Sequence, residues 1–212
     1  MCTFLNPTDP QLNNLAQEVH LHEIPLPATQ ALIDQMFETA QGERTDATQR
    51  GLVGLAAPQI GIFKRIILVD MAVNSERTFF GELKAFINPE ILWHSEEMLW
   101  DREGCFSVDK RIGGVVPRAA SIKLIAYDRY GNPLMHEIAG FTARIFQHEI
   151  DHLNGIRFPD RVGKEGVLHW VEPFEFVDYK KNWQTWPVRC SWDKWVYMKE
   201  RDPILPSCEE SS

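Results

Sequence analysis

Phe141, Ile145, His148 and His152 fall at positions i, i+4, i+7 and i+11, one face of a predicted helix that begins after Gly140 and that Asn154-Gly155 ends. Two histidines therefore share one helix face with apolar side chains. Histidines four apart point both rings at one place, and Glu149 stands between them. This is the arrangement metal-assisted hydrolysis uses. A metal with an open position brings the pKa of a bound water to about 7, and a carboxylate beside it takes the proton and later delivers it to the leaving nitrogen. The pattern alone leaves a second reading open, because a histidine on an apolar helix face is often a hydrogen-bonded core residue. Cys105 offers a thiolate as third ligand, although a lone cysteine is more often a small buried hydrophobe.

The rest of the chain reads as an ordinary globular protein. It has 212 residues, 44% of them hydrophobic and 25% charged, which suits one domain with a possible appendage. The formal charge of -8 argues against an extended nucleic-acid surface, so no DNA partner is expected. No apolar run reaches the roughly 20 residues needed to cross a bilayer. Acidic Asp9, Glu18 and Glu23 precede the first Lys or Arg, Arg44, so neither a secretory nor an organelle leader is expected and the protein is expected to be cytoplasmic. Cys2, Cys105, Cys190 and Cys208 are widely spaced and read as reduced thiols.

Pro27 opens an amphipathic helix over 27–40. The glycine-rich stretch from Gly51 to Gly61 reads as a tight loop beside an apolar strand, 65–70. Further strands are predicted at 84–88, 91–100 and 121–128, the last turning at Gly131-Asn132-Pro133 into a strand over 134–138. Beyond about Phe158 the periodicity weakens, and five of the seven tryptophans follow.

Three segments together resemble the signatures of the peptide deformylase family. Gln147-His148-Glu149-Ile150-Asp151-His152-Leu153-Asn154-Gly155 is similar to the third signature, Glu103-Gly104-Cys105-Phe106-Ser107 to the second, and Gly54-Leu55-Ala56-Ala57-Pro58-Gln59 to the main part of the first. They occur in the family's order, and the likeness extends over about residues 6–165, including Val116-Pro117-Arg118. The resemblance implies an α+β fold of short antiparallel sheets around a central helix, with a catalytic domain over 1–165. The Trp-rich extension over 166–212 departs from the family, and is expected to pack on that domain or bind a partner, with a disordered end as a further reading. The resemblance also implies one divalent metal held by Cys105, His148 and His152 with water as fourth ligand. Fe2+ is the expected ion in the cell, and Zn2+, Ni2+ or Co2+ in a purified sample. The thiolate leaves the ion soft and oxidation-sensitive.

The activity so implied is removal of the N-formyl group from formyl-Met nascent polypeptides, releasing formate. Glu149 manages the proton, and the Gln59 amide and the Phe106 backbone N–H stabilise the oxyanion. Gly54 lets backbone approach an extended peptide, or is simply a turn glycine. Val53, Gly104, Phe141 and Arg144 are expected near the substrate. Glu103 and Arg118 form an ion pair that fixes the cysteine segment, or are unrelated surface charges.

Three positions depart from the family pattern. Leu52 stands where a glycine is usual, with Gly51 one place earlier; Phe106 replaces the commoner leucine; and Arg144 replaces an apolar residue. Arg144 therefore either alters the methionine pocket or is an ordinary solvated helix residue. Bacterial members often end in a helix, sometimes basic enough to dock on ribosomal RNA, but the charge balance of this tail does not support ribosome contact of that kind. Two rivals remain: a zinc metalloprotease, which usually takes its third ligand downstream of the helix, and a non-catalytic relative that binds a partner through the tail.

Overall fold

The computed structural model describes residues 3–42, 51–74 and 83–200; Cys2, Cys208 and the end of the extension lie outside the described residues. The expected α+β architecture is present. After helix α1 (Pro27–Gln41) come strands β1 (Gly54–Ala56), β2 (Ile66–Asp70), β3 (Leu83–His94), β4 (Met98–Glu103), β5 (Ile112–Ala119), β6 (Ser121–Tyr127) and β7 (Pro133–Ala139). Helix α2 (Gly140–Leu153) and the short helix α3 (Phe158–Val162) follow, then β8 (Leu168–Trp170), α4 (Phe176–Asn182) and α5 (Trp192–Glu200). The strands form two antiparallel sheets, ordered β1-β2-β3-β6-β7 and β4-β5-β8.

Strand β2 explains how the larger sheet is covered on both sides. Successive side chains point to opposite faces. Ile67 and Val69 join Phe86, Ile122, Leu124, Ile145 and Phe146 on the α2 side. Ile66 and Leu68 join Ile33, Met36, Leu55 and Ile87 on the α1 side. Phe146 meets Phe86 edge to face at 4.8 Å. Each such side chain taken fully out of water contributes about 1.5–3 kcal/mol, so α2 is anchored by its apolar positions while its two histidines are carried inward with them.

Several boundaries differ from the sequence expectation. The Gly51–Gly61 stretch is not one loop: Gly54 to Ala56 pair with Val69 to Ile67 as a short strand, followed by a 3-10 turn at Ala57–Ile60. The predicted strands 84–88 and 91–100 are divided elsewhere. β3 runs through Asn88-Pro89, and the chain reverses after His94. Asn88 adopts φ 51° and its amide brackets the backbone of Val19 at 2.9 and 2.8 Å, while the register slips between Ile87 and Glu90. A bulge there accommodates Pro89, which cannot donate to a ladder.

Strand β5 was not anticipated, because Gly113, Gly114 and Pro117 lower its strand propensity. A tertiary contact accounts for Gly113: a Cβ at that position would come within 2.9 Å of Tyr179 Cζ. The weakly periodic tail therefore lies directly on this sheet. It adds β8, pairing Ile112 with Trp170 and Gly114 with Leu168, and it buries Tyr179, Cys190 and Trp195.

Within the tail, buried His169 meets the Tyr179 hydroxyl through Nδ1 at 3.1 Å and accepts from Arg189 through Nε2 at 3.0 Å. Burial, with Arg189 adding to it, lowers its pKa to about 4. A histidine whose folded pKa is depressed contributes stability that is present above its unfolded value of about 6.5 and is lost as pH falls toward the folded value. Denaturant unfolding should therefore show wild type losing stability relative to His169→Gln as pH is lowered from about 6.5 to about 4. A constant difference across that window would contradict the assignment.

Candidate active site

Four elements converge on one cavity. β1 and the 3-10 turn bring Gly54 and Gln59, the turn after β4 brings Cys105, and α2 brings Phe141, His148 and Glu149. Val53, Gly104 and Arg144 line the same cavity. A Cβ on Gly104 would meet nothing within 4 Å, so that residue opens onto free space.

The ligating atoms of Cys105, His148 and His152 lie within 4.8 Å of one another. Cys105 Sγ is 3.2 Å from His152 Nε2. His148 Nδ1 lies 2.8 Å from Glu103 Oε2, which fixes the proton on Nδ1 and leaves the Nε2 lone pair for the site. One sulfur and two imidazoles, with the tautomer of one set by a carboxylate behind it, fit a divalent ion of the zinc or ferrous type. The electrostatics agree. Burial alone would depress His148, but the hydrogen bonds and charges of Cys105 and Glu103 outweigh it and lift its pKa well above the ordinary value. The site favours positive charge between these groups. Burial, then the nearby His148, drives His152 the other way, toward the neutral form that ligates.

Glu149 is 5% exposed, and its Oε2 has no hydrogen-bond partner among the described residues. Burial, partly offset by His148, pushes its pKa up to about 7. A buried carboxylate with a free oxygen and a pKa in that range is poised to exchange a proton near neutrality. Its position demands glycine opposite: a Cβ on Gly54 would stand 2.8 Å from Ile145 Cγ2 and 2.9 Å from Glu149 Cδ.

Gln59 is buried, and its amide is oriented from both ends. Oε1 accepts from the Ala56 N–H at 2.8 Å, and Nε2 faces Cys105 Sγ at 3.4 Å and Ser107 Oγ at 3.3 Å. The amide thus braces the turn through Oε1 and turns Nε2 toward Cys105 and Ser107. The Phe106 ring is exposed and stacks on Phe4 with centroids 4.9 Å apart, while its backbone N–H makes no hydrogen bond among the described residues.

Beneath His148 lies a buried ion network that was only partly foreseen. Arg118 donates Nε and Nη2 to the two oxygens of Glu103, both at 2.9 Å, so the pair is buried and bidentate and the surface-charge alternative is excluded. Arg118 also pairs through Nη1 with Asp151, which Arg161 holds from the other side. Arg144 is not solvated. It donates to Glu103 Oε1 at 2.7 Å, to the Leu99 carbonyl at 2.6 Å and to the Val116 carbonyl at 3.0 Å. It forms part of the cavity wall with its guanidinium turned to those acceptors. Burial would raise Glu103, but Arg118 and His148 outweigh it and hold the carboxyl far below the usual range. Sequence reasoning missed Asp151, Arg161, Ser107 and Phe4 as parts of this centre. Asp151 and Ser107 carried a signal, since both lie inside the quoted motifs; Arg161 and Phe4 carried none.

Residues 1–167 match the family model for polypeptide deformylase. Among curated relatives, a peptide deformylase of Halalkalibacterium halodurans is 46% identical over 125 residues, which cover 58% of this chain and 64% of that protein, just under two thirds of its length. Peptide deformylase 2 of Bacillus cereus is 38% identical over 162 residues, covering 74% of this chain and 86% of that protein. Among solved structures, a class I type b peptide deformylase from Acinetobacter baumannii with Met-Ala-Ser bound superposes with a TM-score of 0.66 at 36% identity. It covers 76% of this chain and 98% of its own.

Removing one partner of a buried ion pair leaves an uncompensated charge, which destabilises by about 3–5 kcal/mol. Arg118→Met should lower the denaturant-derived unfolding free energy by about 3 kcal/mol or more. A loss below about 1 kcal/mol, the range of an exposed pair, would contradict the network described.

Proposed function

The chain belongs to the polypeptide deformylase family, and on that premise we propose that the centre at Cys105, His148 and His152 removes the N-formyl group from the formyl-Met terminus of nascent polypeptides, releasing formate. The observation that carries this reading is the free, buried Oε2 of Glu149 beside three converging metal donors. A divalent ion held by one thiolate and two imidazoles supplies, when bound, the Lewis acidity that activates water and polarises the formyl carbonyl. Fe2+ is assigned in the cell; Zn2+, Ni2+ or Co2+ would serve in a purified sample.

The protein groups divide the remaining work. Glu149 accepts the proton of the attacking water at Oε2 and delivers it to the amine nitrogen as the C–N bond to the formyl carbon breaks. Gln59 Nε2 and the Phe106 N–H donate to the oxygen that gains negative charge. β1 is an edge strand of its sheet, so a peptide can extend along Gly54 by strand addition. The methionine side chain then enters between Val53 and Phe141, with Arg144 at the wall. Glu103 and Arg118 hold His148 from behind. Residues 1–165 are assigned as the catalytic domain and 166–212 as an extension of it. No helix among the described residues is long and apolar enough to cross a membrane, and work on nascent chains assigns the protein to the cytoplasm.

The test is formate release from a formyl-Met tripeptide by anaerobically purified, iron-loaded protein. Glu149→Ala should keep its metal and lose about 100-fold or more in kcat. Gln59→Leu should lose about 100-fold or more, as for one oxyanion donor. Metal-loaded wild type that releases no formate would overturn the reading, and internal cleavage of unformylated peptides would favour a metalloprotease.

A further inference from the structure

Arg157 is a fully buried cation that the proposed reaction does not use. Its Nη1 donates to the carbonyls of Pro7 at 2.6 Å and Ser107 at 3.2 Å, and its Nη2 to Asn13 Oδ1 at 2.9 Å. Ser107 belongs to the metal turn: its N–H faces Cys105 Sγ at 3.4 Å, and its hydroxyl receives Gln59 Nε2 at 3.3 Å. One guanidinium therefore ties the Cys105 turn to the N-terminal segment. All three of these acceptors are neutral oxygens, so the buried charge needs support from elsewhere.

The charge of Asp160 in α3 supplies part of that support, and the tail supplies the rest. The guanidinium carbon lies 4.7 Å from the ring centroid of Trp195, which is 1% exposed. A cation over an indole face is attracted most strongly where water is absent. Trp195 Nε1 donates to Asp160 Oδ1 at 3.0 Å, and the other oxygen of Asp160 accepts from the Arg157 N–H at 2.9 Å and from Lys199 Nζ at 2.8 Å. α5 thus brings both Trp195 and Lys199 to the first turn of α3. Cys105 packs against the same apolar cluster, which includes Val108, Phe158 and Trp195.

We propose that Trp195 and Arg157 form a positioning clamp, through which the C-terminal extension holds the Ser107 carbonyl and so fixes the Cys105 sulfur toward His148 and His152. The clamp rests on the reading of those three residues as a metal site. The extension is then a working part of the centre, and Arg157 and Trp195 are positioning residues that touch neither substrate nor reacting atoms.

The test uses the full chain with two readouts that need no turnover. One is the rate of iodoacetamide alkylation at Cys105 in metal-free protein, located by peptide mass spectrometry. The other is the rate of zinc loss to a chelator. Trp195→Leu, which removes the indole face and its N–H, should raise both rates about tenfold or more, the usual range for groups that orient a metal ligand. Trp195→Phe keeps an aromatic face and should stay within about threefold of wild type. Tyr179→Leu is the control, because this equally buried tail residue contacts His169 and Trp186; it should lower Tm while leaving both rates within about threefold. If Trp195→Leu fails to fold, Arg157→Met carries the same expectation. Unchanged rates in Trp195→Leu, or an equal rise in Tyr179→Leu, would overturn the clamp. Wild type that holds no zinc would defeat the metal reading instead, and the alkylation rates would still decide whether Trp195 and Arg157 position Cys105.

Discussion

The carboxylate of Glu103 accepts four hydrogen bonds inside the protein: two from Arg118, one from Arg144 and one from His148 Nδ1. A carboxylate has about four lone-pair sites, so this one is filled. Taking such a charge out of water is tolerable only because the pairing is complete. The consequence reaches the chemistry. With Nδ1 committed to Glu103, His148 turns Nε2 to the site, and the residue after next in sequence, Cys105, is delivered beside it. Asp151 repeats the device one turn along α2, receiving Arg118 from one side and Arg161 from the other.

The two sheets divide the labour around that network. The five-stranded sheet, covered on both faces, holds α2 rigidly and presents β1 as an edge at the cavity. The three-stranded sheet supplies Glu103 from the end of β4 and Arg118 from β5. The centre is therefore assembled across a joint between two independently paired sheets. Hydrogen bonds from α2, which packs on the larger sheet, to the smaller one, such as Arg144 to the Leu99 and Val116 carbonyls, keep the joint closed.

Much of this was legible in the sequence where a local pattern carried the information. The spacing of Phe141, Ile145, His148 and His152 marked the helix, and three separated motifs brought Gln59, Cys105 and Glu149 to one place. What stayed hidden depended on partners distant in sequence. β5 looks like a poor strand because Gly113 is shaped by Tyr179, dozens of positions away. Asn88-Pro89 looks like a strand break because the bulge is held by Val19. Arg144 allowed two readings, a changed pocket or a solvated helix face, since a single residue type does not say which acceptors surround it. Trp195 was marked only as one of the tail tryptophans, with no sign of what it packs against, and Arg157 gave no signal at all.

In the proposed centre one thiolate and two imidazoles, one of them set in place by Glu103, hold a single divalent ion. X-ray absorption at the metal edge of zinc-loaded protein tests it without reference to any substrate. One sulfur at about 2.3 Å and two imidazole nitrogens at about 2.0–2.1 Å are expected, with the sulfur contribution lost in Cys105→Ser. A first shell of oxygen and nitrogen alone in the wild-type protein would contradict it.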